Sequence, residues 1–130
     1  NMGDSRVYRC RRGKMSQLTQ DQSLVAQLLR EGKITQEEAE QSGQKNILTM
    51  CLGMFDVPQS FFAVGKLRDE DVFLLCSDGL YNPADPEEME RALSDTDCTA
   101  QEKADRLRGA VLPGAGRDNI SAIVVQIYSY

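Results

Sequence analysis

The stretch Asp71-Val-Phe-Leu-Leu-Cys-Ser-Asp-Gly-Leu80 sets five apolar residues between two aspartates. A short apolar run bounded by turn-forming residues reads as a β-strand over 71–77, apolar on both faces and therefore buried on both sides of a sheet. Immediately upstream, Phe61 to Leu67 reads as a second strand, joined to the first by the charged turn Arg68-Asp-Glu70. Downstream, Asp85, Pro86 and Glu88 supply an N-cap, an N1 proline and an N3 glutamate, which open a helix. Thr99-Ala-Gln-Glu102 is a capping box for a further helix, with Ala104, Leu107 and Val111 as its buried stripe and Pro113 to Gly116 as its stop. Ile120 to Tyr128 reads as the longest strand, again apolar on both faces.

The first half of the chain completes the pattern. Ser5 to Arg11 and Lys14 to Leu18 form a hairpin turned at Gly13. Leu24, Val25, Leu28 and Leu29 recur at helical spacing, and Gly32 sits where a helix stop belongs. Thr35-Gln-Glu-Glu38 caps a short acidic helix. Ser42 to Lys45 is a polar loop, and Asn46 to Gly53 is a short helix or an irregular segment. The expected order is β-β-α-α-β-β-α-α-β. Short links between strand pairs favour antiparallel pairing over βαβ crossovers, so the fold class is α+β.

Composition bounds the function. The 130 residues suffice for one domain, and the 41% hydrophobic and 27% charged content describes a globular chain rather than a disordered one. No apolar run approaches the ~18 residues of a membrane span. The polar start at Asn1 carries no signal peptide, and a strand begins so soon after it that the chain is expected to start inside a longer protein. A net charge of −5 argues against a nucleic-acid surface. The one basic cluster, Arg9, Arg11, Arg12 and Lys14, is a solvated hairpin tip or a docking patch for an acidic partner. Histidine is absent, which removes Ser-His-Asp and Cys-His catalysis and any His-liganded zinc site. Cys10, Cys51, Cys76 and Cys98 form no C-x-x-C pair, and read as the reduced thiols of a cytoplasmic protein.

The chemistry resides in three aspartates. Asp4 stands just before the first strand, Asp78 just after the Val72 strand, and Asp118 just before the last. If the Asp78 strand runs antiparallel to the other two, its C-terminal end meets their N-terminal starts, and the carboxylates gather at one sheet edge. Converging carboxylates repel unless a cation lies between them, and hard oxygen ligands suit Mg²⁺ or Mn²⁺. Taken singly, Asp-Gly is a turn signal and Asp-Asn an Asx-turn or cap. Ser77 has no base in the sequence to activate it as a nucleophile.

Five motifs then run in order: Gly3-Asp-Ser-Arg6, Leu18-Thr-Gln-Asp-Gln-Ser23, Asn46-Ile-Leu-Thr49 with Leu52-Gly53, Cys76-Ser-Asp-Gly-Leu80, and Gly116-Arg-Asp-Asn-Ile120. In this the chain resembles the metal-dependent (PPM-type, type-2C) protein serine/threonine phosphatases in their bacterial form, and matches the C-terminal half of their catalytic domain. The resemblance implies part of an α-β-β-α sandwich, two antiparallel sheets flanked by helices, with two or three Mn²⁺ or Mg²⁺ ions at one end. It implies that Asp78 and Asp118 bind a catalytic ion and that Asp4, with Asp78, holds a third. Arg6 and Asn119 match their motifs as structural support, and 19–53 corresponds to the flap beside the active site. The implied reaction is attack of a metal-activated water on phosphoserine or phosphothreonine of a phosphoprotein, with no side-chain acid or base. No nucleic acid and no membrane contact is expected.

The chain also departs from that pattern. The family's N-terminal half, with an Asp-Gly motif that bridges two ions and an arginine that grips phosphate, has no counterpart in the 130 residues. Gln22 stands where bacterial relatives usually carry histidine, and Met50 where they often carry arginine. Without the other half, sheet edges and apolar faces are expected to be open, and the isolated chain to be inactive and to self-associate. The competing readings are a non-catalytic metal-binding or regulatory module of the same fold, and a cation-binding domain unrelated to phosphatases.

Overall fold

The computed structural model describes residues 1–111 and 118–128. Among them the elements run β1 (Arg6–Arg11), β2 (Lys14–Gln17), α1 (Leu24–Arg30), α2 (Gln36–Gln41), β3 (Val72–Cys76), α3 (Asp78–Tyr81), α4 (Pro86–Ser94), α5 (Ala100–Val111) and β4 (Ala122–Gln126). The chain divides into two compact units, Asn1–Ser5 with Gln20–Phe62, and Arg6–Thr19 with Ala63–Tyr130.

The second unit is built on a four-stranded sheet in the order β2-β1-β3-β4, antiparallel throughout. Its hairpin turns through Arg12 and Gly13, both at positive φ (52° and 75°), the turn whose twist suits adjacent antiparallel strands. Period-2 alternation assigns the faces. Tyr8, Cys10, Val72, Leu74, Cys76 and Val124 point to one side, where α3, α4 and α5 bring Leu80, Met89, Leu93, Leu107 and Val111 against them. The N-cap of α4 is Asp85, whose Oδ1 accepts from the Glu87 amide at 2.9 Å, with Pro86 in the first turn. Thr99 and Glu102 make both legs of the capping box that opens α5. Lys103 on α5 is buried and donates to the carbonyl of Asp95, the C-cap of α4, placing a cation where that helix end is negative.

The first unit carries the two remaining helices. Ser23 caps α1, accepting from the Ala26 amide. Glu31 then closes the helix, and Gly32 turns the chain at φ +67°. Thr35 and Glu38 form the capping box of α2. Asn46 to Gly53 is irregular, touching Ser23 through an isolated bridge at Leu48.

Several expectations change. Phe61 to Leu67 is not a strand: it forms no ladder, and Phe62, Val64 and Leu67 are exposed. Alternating apolar residues favour an extended chain, but a strand needs a run of pairs; Phe61 exchanges backbone hydrogen bonds with Asn1 at 2.8 and 2.7 Å, and among the described residues no ladder continues from there. A short helix, α3, follows β3 instead, so the order is β-β-α-α-β-α-α-α-β. β4 covers five residues rather than the span 120–128, and β1, with six, is longer. Among the described residues β3 is fully covered on its helix side, while on the other side Phe73 is half-buried and Leu75 is 39% exposed, with Val125 (41%) and Ile123 (61%) of β4 also exposed. The helix stop placed at Pro113 to Gly116 lies outside the described residues.

Candidate metal site

Register builds the site. Cys76 pairs with Arg6 on one side and with Ala122 on the other, so the C-terminal end of β3 lies level with the N-terminal ends of β1 and β4. The antiparallel arrangement expected of the Asp78 strand is therefore present. Beyond the last pair, the chain before β4 stays laced to the turn after β3. The Ser77 amide donates to the Ser121 carbonyl at 3.1 Å, and the Ser121 amide donates to Ser77 Oγ at 3.0 Å. The Ser77 hydroxyl in turn donates to the Asn119 carbonyl at 3.2 Å. Ser77 is thus a latch between two loops.

Gly79 completes the contact. A Cβ built on it would lie 2.3 Å from the Asn119 carbonyl oxygen and 3.4 Å from Asp118 Cβ. Only a residue without a side chain lets the start of α3 approach the Asp118-Asn119 backbone so closely. The latch and the glycine together set Asp78 and Asp118 on neighbouring loops at one sheet edge. Each carboxylate folds one oxygen back onto the next amide: Asp78 Oδ1 accepts from Gly79 at 2.9 Å, and Asp118 Oδ1 from Asn119 at 2.7 Å. Asp78 is half-buried and Asp118 exposed.

Arg6 lies at the same edge. Its Nη1 donates to the Tyr8 hydroxyl at 2.8 Å, and its guanidinium stacks 3.7 Å from the centroid of the Tyr81 ring. That contact ties β1 to α3. The Cys76 thiol, one step inside, is pushed up to about 11 by burial, so it stays protonated at neutral pH.

Asp4 belongs to the first unit. Its neighbour Gly3 takes φ +87°, and Gln22 grips Gly3 twice. The Gly3 amide donates to Gln22 Oε1 at 2.9 Å, and the Gln22 amide donates to the Gly3 carbonyl at 3.0 Å. Gln22 Nε2 also donates to the Gln59 carbonyl at 2.7 Å. The residue that departs from the expected histidine thus serves as a brace for the Gly3-Asp4 turn. Nothing in the sequence signalled this, because it spans residues 3, 22 and 59. Ser77 and Tyr81 were likewise not singled out as supports, although the Ser-Asp-Gly triplet is itself a signal for the first.

The donor chemistry fits a hard divalent cation. Two carboxylates with one oxygen each turned away from the backbone amides suit Mg²⁺ or Mn²⁺, which take six oxygen ligands and keep several waters. Two carboxylates could supply at most part of such a ligand set. Among the described residues no group of three or more His, Cys, Asp or Glu side chains could hold an ion.

An antiparallel sheet covered by helices on one side, with two aspartates on adjoining loops at its edge, defines one half of a layered α+β domain with a carboxylate edge. No model of a known protein family matches the sequence. Individual proteins do. The chain is 40% identical over 126 residues to the serine/threonine phosphatase stp of Listeria innocua, across 97% of this chain and 50% of that protein. The crystal structure of the serine/threonine phosphatase Stp1 from Staphylococcus aureus superposes with a TM-score of 0.90 at 32% identity, over 99% of this chain and 50% of that one. The catalytic domain of the serine/threonine protein phosphatase PstP, solved in complex with two manganese ions, gives 0.78 at 36% identity, over 98% and 52%. The chain belongs to the bacterial PPM-type serine/threonine protein phosphatase family. It spans about half the length of the curated relatives it matches.

Proposed function

We propose that this chain is the C-terminal part of a catalytic domain that hydrolyses phosphoserine and phosphothreonine in proteins, with Mn²⁺ or Mg²⁺ as cofactor. The observation that carries this reading is the juxtaposition of Ser77-Asp78-Gly79 with Asp118-Asn119 at one end of an antiparallel sheet. Asp78 and Asp118 would hold one ion, and Asp4 would contribute to another. When bound, such ions lower the pKa of water and neutralise charge on a phosphoryl group. The chain's own residues do the positioning. Ser77 latches the two loops, Gly79 gives them room, Arg6 on Tyr81 ties β1 to the end of α3, and Gln22 braces the turn before Asp4. Residues 19–53 would act as the flap beside a phosphoprotein substrate, and the N-terminal half of the domain would complete the site. The free cysteines, three of them buried, suit a cytoplasmic setting.

The exposed apolar residues on β3 and β4 favour a second reading, a non-catalytic metal-binding or regulatory module of the same fold that uses this surface to bind. Both readings meet in one experiment: Mn²⁺ titration of the purified chain by calorimetry, with hydrolysis of a small aryl phosphate measured alongside, for the native sequence and for Asp78→Asn. The expected result is Mn²⁺ binding lost in the variant, and no turnover by either. Equal Mn²⁺ affinity in both would overturn the metal assignment. Turnover by the native chain would overturn the non-catalytic reading.

A further inference from the structure

A cavity of about 480 Å³ opens in the second unit, at the end of the sheet opposite the Asp78 edge. It lies where the row Cys10, Val72 and Gln126 ends the pairing of β1, β3 and β4, beside the link between α4 and α5. That volume is in the range of small-molecule sites. Cys10, Val72 and Leu93 give it a buried apolar lining, and Tyr128 adds an exposed aromatic wall.

The charges on this cavity do not balance at depth. Lys103 lines it and is only 1% exposed. Among the described residues its ammonium has one acceptor, the Asp95 carbonyl, and no carboxylate partner. A helix C-terminus carries only about half a unit of negative charge, so the end of α4 offsets the buried cation in part. The two carboxylates closest to hand are already spent. Asp71 gives both oxygens to Arg11 and the Arg68 amide. Asp95 gives its own to Arg106, the Asp97 amide and the Cys98 thiol. Arg12, Asp69 and Glu70 are exposed, and so are screened by water.

We propose that this cavity binds a small organic monocarboxylate with a flat apolar body, its carboxylate received by Lys103. An ammonium offers three donors, and the Asp95 carbonyl takes one. A single buried cation suits a single negative charge, and the acidic residues Asp69 and Glu70 at the mouth disfavour a multiply charged anion. The apolar lining favours a body such as a ring over a bare ion. The site shares no residue with the Asp78 edge, so the inference stands apart from the metal reading.

The test titrates the purified chain with benzoate, with benzamide as its uncharged isostere and with inorganic phosphate, read by calorimetry and backbone-amide NMR. One benzoate per chain is expected, shifting the amides of Gly13, Val72 and Ile127 and not those of Gly79 and Asn119. Benzamide should bind at least about tenfold more weakly, since a charge-assisted hydrogen bond is lost. Lys103→Met, which keeps the length of the stem, should lose benzoate to the same extent in a protein that still melts cooperatively. Should that variant fail to fold, the benzoate and benzamide affinities of the native chain decide the matter. Benzamide binding as tightly as benzoate, or a folded Lys103→Met with unchanged affinity, overturns the role of Lys103. Inorganic phosphate binding more tightly than benzoate overturns the carboxylate class. No saturable binding of benzoate, or shifts confined to Gly79 and Asn119, overturns the site itself.

Discussion

The two ends of β3 each carry an aspartate, and the two are treated in opposite ways. At the N-terminal end Asp71 is fully buried, and Arg11 and the Arg68 amide consume its oxygens. The Arg11 guanidinium holds its carboxyl down to about 2 against burial, which works the other way. At the C-terminal end Asp78 is half-buried and bonds the amide next to it. One carboxylate is spent on the fold; the other is held in place but kept available. A carboxylate satisfied by arginine contributes stability, whereas one left for a cation costs little to remove and matters only to what it binds.

Breaking the Asp71 end should cost the most. Asp71→Ala strips Arg11 of its carboxylate and leaves the Arg68 amide unpaired, and removing one partner of a buried pair costs about 3 kcal/mol. Urea denaturation of the two proteins checks it, with no change expected in Mn²⁺ binding. The next effect belongs to the other end. Gly79→Ala drives a methyl group into the Asn119 carbonyl, and the backbone must give way at a cost of about 2 kcal/mol. Here stability and Mn²⁺ affinity should fall together, because the same displacement parts Asp78 from Asp118. A Gly79→Ala protein that loses stability but binds Mn²⁺ normally would mean that the pair does not share an ion.

Acid sharpens the contrast. A carboxyl whose folded pKa is depressed stabilises the fold above its unfolded value, and that stability is lost as pH falls through the folded one. Asp71 therefore contributes fully above pH 3.8, and its contribution drains away toward about pH 2. Urea midpoints measured at pH 5, 3 and 2 should fall less steeply in Asp71→Ala than in the native chain.

The comparison also marks how far the sequence could be read. Capping boxes at Thr35 and Thr99, the N-cap at Asp85 and the hairpin at Gly13 are local patterns, and each is where the residues implied. The expected antiparallel order is present, although one of the short links it was read from, that after Phe61 to Leu67, joins no strand pair, and of the three aspartates expected at one edge Asp78 and Asp118 lie on adjoining loops. The Arg11–Asp71 pair was not legible, because sixty positions separate its members. Nor was the buried Lys103, which apolar periodicity counts as a surface residue although a helix end awaits it. Phe61 to Leu67 failed for a related reason: extended propensity is local, but the partner that makes a strand is not. Gly79 reads locally as part of an Asp-Gly turn signal, and that the Asn119 backbone, forty positions on, needs the space of its missing side chain is not a local pattern.

The smallest expected change in stability carries the most functional weight. Asp78→Asn keeps the side-chain oxygen that accepts from the Gly79 amide and leaves Ser77, Gly79 and Asn119 in contact, so urea denaturation should differ from the native chain by about 0.5 kcal/mol or less. Mn²⁺ affinity should nonetheless fall by at least about tenfold, since an amide oxygen replaces an anionic ligand of a hard cation. Asp71→Ala and Asp78→Asn would then separate cleanly, one unfolding readily and binding metal, the other folding normally and not. If Asp78→Asn instead destabilised the chain as much as Asp71→Ala does, the carboxylate at this end of β3 would be structural too, and the difference between the two ends would disappear.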